Sequence, residues 1–228
     1  MDLAIVSDSH IPERADAIPD PFRERIAAAD HTLHVGDVQT ADALAAFRDL
    51  ADGWTGVRGN IDPADVGLPT VATVEAAGVT VVAVHGAVNP ATRDATIGPD
   101  PDPDDWMAAS GVVEDGRDWL AAVTTTARVV AAEGITPELE RACIPVPAEV
   151  DAADVDAVAA AADRAGDPEG TVVAVGGHSH RVVEDSHRGV TVLNPGTVTG
   201  ADPGPRTTML TVELTDGDVD VTLHELDE

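Results

Sequence analysis

The chain has 228 residues, enough to bury a sizeable core as one domain, and carries 42 acidic against 13 basic residues for a net charge of −29. Every basic residue is arginine, only 2% of residues are aromatic and 43% are hydrophobic, which predicts a folded domain adapted to high salt rather than a disordered acidic chain. The charge argues against duplex nucleic acid or an anionic membrane as partner, and the single cysteine, Cys143, excludes an internal disulfide and a thiolate metal cluster.

No apolar stretch approaches the length needed to span a bilayer, and no charged-then-apolar leader precedes the first strand. The expected location is cytoplasmic. Leu3 to Val6 is a short apolar run that reads as a buried strand and leads into Asp8 and His10. On extended backbone, residues two apart point the same way, so this carboxylate and imidazole would leave the strand tip together. Alone, the pair fits either half of a metal site or a polar strand end. Pro12 and Pro19 mark a loop, and Asp20-Pro21 opens a helix to about Ala29. His31 to Val35 is a second strand ending in Gly36-Asp37. A helix follows from Thr40 to Leu50, with Ala43, Leu44, Phe47 and Leu50 at helical spacing. Trp54 to Arg58 is a third strand, ending in Gly59-Asn60-Ile61-Asp62. Strand, helix, strand, helix, strand is the signature of a parallel sheet with right-handed crossovers, whose ligands collect at the carboxyl ends of the strands.

Thr70 to Glu75 and Val79 to Val84 read as a hairpin that makes the sheet mixed, and its second arm ends in His85-Gly86. From Asn89 to Gly170 the pattern weakens. Asp100 to Asp105 reads as a solvated acidic loop, and Arg117 to Ala132 and Asp151 to Ala165 read as helices. Thr171 to Val175 is a buried strand leading to Gly176-Gly177-His178-Ser179-His180. Val182 to Glu184 and Val190 to Leu193 form a hairpin ending in Asn194-Pro195-Gly196, and Thr207 to Leu214 with Val219 to Leu226 form another, joined at Asp216-Gly217.

Collected, the strand ends hold two carboxylates (Asp8, Asp37), one amide (Asn60) and four imidazoles (His10, His85, His178, His180), mostly with a glycine adjacent. A hard-to-borderline divalent ion favours that mixture, and seven groups exceed what one tetrahedral site needs. With one bridging carboxylate, two metals fit at the roughly 3.5–4 Å used for displacement at phosphorus.

The order D-x-H, GD, GN, HG, GHxH and NPG resembles the calcineurin-like metallophosphoesterases, and is most similar to their small prokaryotic phosphodiesterase branch. The likeness covers Met1 to His85 and Thr171 to about Leu226. It implies a four-layer αββα sandwich: two mixed β-sheets flanked by helices, one domain over residues 1–228. It also implies that Asp8, His10 and His180 hold one metal, that Asn60, His85 and His178 hold a second, and that Asp37 bridges them. The cofactors implied are two divalent ions, manganese first, with iron, zinc, nickel or magnesium as alternatives. The activity implied is hydrolysis of a small phosphodiester, or of an activated phosphomonoester, by a metal-bridging hydroxide. A non-catalytic scaffold for protein partners, and a dinucleoside-polyphosphate hydrolase or protein phosphatase, are the rival readings. Asp37, Asn60, His85 and Asp62 are the catalytic set so read, with Arg58 and Asn60 against substrate.

One departure matters. Ile61 stands where the protein phosphatases of this family have a histidine, so the usual acid for a poor leaving group is missing. That favours diesters and activated esters. Asp62 is expected to hydrogen-bond a ligand histidine or cap the next turn, with proton donation as its alternative. Arg58 is placed to meet a phosphate oxygen or to form a structural ion pair. His34 reads as packed or supporting a ligand, His31 and His224 as solvated, and His187, in a hairpin turn after GHSH, as exposed or else against substrate. Trp106 and Trp119 read as core or interface anchors. The helix at Asp151 to Ala165 is assigned to the core because it precedes the strand carrying GHSH. That leaves about 89–150 as a helical insertion, expected either as a lid over the metal edge or as a contact with a second copy of the chain.

Overall fold

The first strand, β1 (Asp2–Val6), is apolar on both faces because both faces are covered. Leu3 and Ile5 turn one way and Ala4 and Val6 the other, and all four are buried. A computed structural model describes residues 1–86, 117–143 and 150–226. β1 pairs in parallel with β2 (His31–His34), which pairs in parallel with β3 (Trp54–Gly56). On its other side β1 runs antiparallel to β9 (Thr207–Thr215), which is followed by β10 (Asp218–Leu226). The order of this first sheet is β10-β9-β1-β2-β3. The second sheet is ordered β4-β5-β6-β8-β7, from β4 (Val71–Ala76), β5 (Val79–Val84), β6 (Thr171–Val175), β7 (Val182–His187) and β8 (Val190–Pro195). Both sheets mix parallel and antiparallel pairs.

Between the sheets lies one apolar layer, including Leu3, Ile5, Leu33, Val35, Val81, Val175, Leu193 and Leu210. Outside the first sheet, α1 (Asp20–Ala28) brings Phe22 and Ile26, and α2 (Ala41–Leu50) brings Leu44 and Phe47, onto Ala4, Val6 and Met209. Outside the second sheet stand α3 (Arg117–Glu133), α4 (Pro137–Ala142) and α5 (Ala152–Arg164). The expected four layers, α-β-β-α, are therefore present. No helix among the described residues is long and apolar enough to cross a membrane.

In the second helical layer α3 and α5 contribute to one core cluster. α3, part of the stretch assigned to an insertion, lies directly on β5, β6 and β8, where Trp119, Val123 and Ala127 cover Val82, Val172 and Ala174. α5, assigned to the core, packs chiefly against α3 and α4. Residues 89–116, with Trp106 and the acidic run 100–105, lie outside the described residues.

The hairpins follow turn chemistry. The β4–β5, β7–β8 and β9–β10 connections are two-residue loops, Ala77-Gly78, Arg188-Gly189 and Asp216-Gly217, with φ positive at both residues. That is the mirror-image turn whose twist matches paired strands.

Candidate metal centre

The carboxyl ends of β1, β2, β3, β5 and β6 open onto one edge shared by both sheets, and each delivers a polar residue there. The delivery is not by extended backbone as the sequence reading assumed. β1 stops at Val6, and Asp8 and His10 both take left-handed conformations, φ 52° and 48°. Asp37, His178 and His180 do the same at φ 60°, 70° and 54°. For residues with a Cβ this region is sparsely populated and costs roughly 1–3 kcal/mol each, persisting only where the surroundings enforce it. Five of the seven candidate ligands share that strain. It turns their side chains back toward a common centre.

All seven groups meet there. Nε2 of His10 lies 3.0 Å from Nε2 of His180, and the latter is 3.3 Å from Asp8 Oδ1. The two oxygens of Asp37 divide: Oδ2 is 3.7 Å from His10 Nε2, Oδ1 3.5 Å from His85 Nε2. Asn60 Oδ1 is 3.0 Å from both His85 Nε2 and His178 Nδ1. Asp8, Asp37, His10, His85, His178 and His180 are all buried.

The hydrogen bonds behind them fix which atoms face inward. His85 Nδ1 lies 2.6 Å from the carbonyl of Val35, and His180 Nδ1 2.9 Å from that of Ala201. Each therefore carries its proton on Nδ1 and presents an Nε2 lone pair to the centre. Asp8 Oδ2 accepts from Ser7 Oγ (2.5 Å) and from the His178 amide (3.1 Å). Asp62 keeps both oxygens on backbone: Oδ2 accepts from the amides of Asp37 (3.0 Å) and Gly59 (2.7 Å), Oδ1 from that of Gln39 (2.6 Å). The sequence reading had it on a ligand histidine or capping the next turn; its bonds run instead to amides of the ligand loops.

Motif glycines let these loops interlock. A Cβ on Gly59 would strike Asp37, side chain and amide alike, and one on Gly177 would strike Ser7, Val35 and Asp8. The close approach is therefore between ligand loops, not only toward a bound group.

Electrostatically the centre is an arrangement of acceptors facing acceptors. The His180 lone pair confronts Asp8 Oδ1, which is buried without a hydrogen-bond partner, and the His85 lone pair confronts the oxygens of Asp37 and Asn60. Something positive has to lie between them. Protons are one answer: against the effect of burial, Asp37 and Asp8 raise the pKa of His85, and Asp8 raises that of His180. Burial pushes Asp37 up to about 6, aided by Asp8. Asp8 goes the other way: despite burial, His180, His85 and Ser7 hold it well below the usual carboxylate range. Burial lowers His10 to about 4 and His178 to about 3, so both rings are neutral at pH 7. Neutral imidazoles, carboxylates and an amide oxygen are donors to a divalent cation, and two groups, Asp8–His10–His180 and Asp8–Asp37–His85, already have one ligand atom from each member within 4.8 Å of the others. The residues present fit the metal pair.

A family model, the calcineurin-like phosphoesterase superfamily domain, matches residues 1–111 and 148–217. The chain belongs to that superfamily. Among curated proteins, a probable metallophosphoesterase of Methanothermobacter thermautotrophicus is 32% identical over 89 residues, 39% of this chain and 51% of that protein. One from Methanocaldococcus jannaschii is 30% identical over 86 residues, 38% and 43% of the two chains. The chain thus matches about half the length of these relatives. Solved structures share the fold. Vps29 of Entamoeba histolytica complexed with Zn²⁺ aligns over 99% of both chains with TM-score 0.52 and 18% identity. A Thermotoga maritima protein aligns over 99% of both with TM-score 0.53 and 20% identity.

The remaining sequence candidates lie off the centre. Arg58 is half-buried, with Nε 3.4 Å from the Asp62 carbonyl. His34 is buried against Phe47. His31 and His224 are half-buried on the hydroxyls of Thr55 and Thr211 rather than simply solvated. Sequence reasoning missed the supporting hydroxyls. Thr197 Oγ1 holds the Asp8 carbonyl (2.9 Å), Thr199 Oγ1 holds that of Ser9 (2.9 Å), and Asn194 Nδ2 ties Gly177 O and Ser179 Oγ at 2.9 Å each. The available signal was the short run of Ser, Thr and Asn interleaved with and following the ligand motifs.

Proposed function

We propose that the chain is a dimetal-dependent phosphoesterase that cleaves a small phosphodiester or an activated phosphomonoester. The observation that carries this is Asp37, whose oxygens face His10 on one side and His85 on the other. One carboxylate thereby stands between two ligand sets: Asp8, His10 and His180 for one cation, Asn60, His85 and His178 for the other. Two divalent ions held there, manganese the first candidate, supply Lewis-acid charge at phosphorus and a water acidified toward neutral pH.

The chain's own contribution is position and charge. Asp62 holds the Asp37, Gly59 and Gln39 amides and so fixes the bridging carboxylate. Arg58 holds no place among the metal ligands, and with its Nε toward the Asp62 carbonyl it would have to swing from there to meet a non-reacting phosphoryl oxygen. Ile61 has an apolar side chain, and its amide is bonded to Asp37 Oδ1 at 3.1 Å. The position after Asn60 in the chain therefore offers no acid to protonate a departing alkoxide. Water adds to phosphorus, the bond to the leaving oxygen breaks, and that oxygen must leave on its own acidity. Good substrates then have acidic leaving groups.

Bis-(p-nitrophenyl) phosphate, assayed at high salt with Mn²⁺, should outrun alkyl phosphomonoesters by orders of magnitude, and Ile61→His should narrow the gap. Comparable rates on phosphoserine peptides would sink the diesterase assignment. Bound metal with no turnover on any ester would favour the scaffold reading.

A further inference from the structure

His34 is out of place in its layer. Alternation along β2 puts Leu33 and Val35 between the sheets and His34 on the outer face, with ring centroids 4.7 Å from Phe47 and 5.8 Å from Trp54. It is fully buried there, where leucine would fill the space without burying two polar nitrogens. Both nitrogens are engaged. Nδ1 accepts from the Gly36 amide at 3.2 Å, which leaves the proton on Nε2, and Nε2 faces Ser9 Oγ at 3.2 Å. Ser9 Oγ in turn donates to the carbonyl of Asp37 at 3.2 Å. The hydrogen bonds form a closed circuit that leaves the Gly36-Asp37 loop through His34, passes through Ser9, and returns to Asp37.

The circuit joins the two parts of the centre. Ser9 lies between Asp8 and His10, ligands of one candidate site, and Asp37 is the residue shared with the other. Asp8, His10 and Asp37 all sit at positive φ, a conformation that relaxes unless neighbours hold it. Backbone bonds already join the two loops, from the Asp8 amide to Gly36 O and from the His10 amide to Asp37 O at 3.0 Å each, and Thr199 Oγ1 pins the carbonyl of Ser9 from the far side; the Ser9 hydroxyl adds the side-chain tie to Asp37 that also reaches His34.

We propose that His34 and Ser9 form a positioning pair that reinforces the backbone tie between the Asp8–His10 loop and the Asp37 loop, and so holds the ligands of the centre in register for metal. This rests on reading the centre as a dimetal site. His34 touches no ligand side chain and acts through Ser9.

The test needs no substrate. Mn²⁺ is titrated calorimetrically into the metal-stripped full chain at high salt. His34→Leu, which keeps the packing against Phe47 and Trp54, should weaken Mn²⁺ binding by roughly 10–100-fold, the usual effect of losing a ligand's supporting partner. The melting temperature of the metal-free protein should change little. His34→Gln returns an N–H near the position of Nε2 and should recover most of the affinity. Ser9→Ala should match His34→Leu, and the double variant should be no worse than either, because both remove one shared interaction. Wild-type affinity in His34→Leu, no rescue by glutamine, or additive losses in the double variant would each overturn the pair. A wild-type chain that binds no Mn²⁺ would overturn the metal centre itself, and the pair with it.

Discussion

Asp37 concentrates the problem the centre has to solve. Without a cation its carboxylate is buried beside Asp8, and its pKa stands at about 6 rather than 3.8. A folded-state pKa raised above the unfolded value means a contribution to stability that is present below about pH 4 and lost as pH rises through 6. A divalent ion supplies the missing positive charge where the proton leaves, so stabilisation by metal should grow between pH 5 and pH 8. At a hundredfold excess over Kd, binding adds about 2.7 kcal/mol, which is roughly 5–10 °C for a domain of this size. Differential scanning fluorimetry with EDTA or Mn²⁺ should show a shift of that order at pH 8, a smaller one at pH 5, and none in Asp37→Asn. An equal shift at both pH values, or a full shift in the variant, would remove Asp37 from its bridging role. At this scale the seven groups that meet at the centre were legible, because each terminates an apolar run with a chemically distinctive side chain. Their geometry was not. Positive φ at Asp8, His10, Asp37, His178 and His180 is imposed by long-range bonds such as those from Thr197 and Asp62, which no local pattern encodes.

Elements were readable wherever one physical signal dominated. Apolar runs located the strands, and Asp216-Gly217 located the last hairpin. α4 escaped notice although Thr136, its N-cap, and Pro137 at its first turn announce it, because six residues give no periodicity to count. α3 carries two signals: its place between ligand motifs suggested a lid or a contact with a second copy, and its buried face answers the outer face of β5, β6 and β8. The family model itself skips 112–147, the stretch that holds α3 and α4. Trp119 separates the two views. It is 3% exposed and packs so closely over the end of β6 that a Cβ on Gly176 would lie 2.5 Å from its ring. Removing it from a structural layer should cost about 3–5 kcal/mol, whereas removing it from a lid should leave stability alone and alter KM. Trp119→Ala is therefore expected to melt on the order of 10 °C lower with KM near that of wild type. An unchanged melting temperature with a raised KM would return α3 to the role of a gate.

At the scale of the whole molecule, charge is the unresolved term. Forty-two acidic residues face 13 arginines. Outside the metal centre, ion pairs among the described residues include Arg141 with Asp154 and Glu138, Arg164 with Glu133, and Arg206 with Glu225, all with an exposed arginine. Exposed pairs contribute about 0–1 kcal/mol each, too little to offset a net charge of −29. Within the centre, two divalent cations against Asp8 and Asp37 would leave a local charge near +2, and would relieve repulsion there rather than across the surface. The surface has to be relieved by solvent. Screening lengths fall from about 10 Å in 0.1 M salt to about 3 Å at 1 M, and the repulsion among scattered carboxylates should fall with them. The melting temperature, measured with saturating Mn²⁺ to hold the centre constant, should climb steeply from 0.1 to 1 M KCl. It should then flatten, since little unscreened repulsion is left. NaCl should act alike if screening is the cause, and sucrose of equal osmolality should do much less. A melting temperature indifferent to KCl, or raised as well by sucrose, would mean that this acidic surface is tolerated for reasons other than salt.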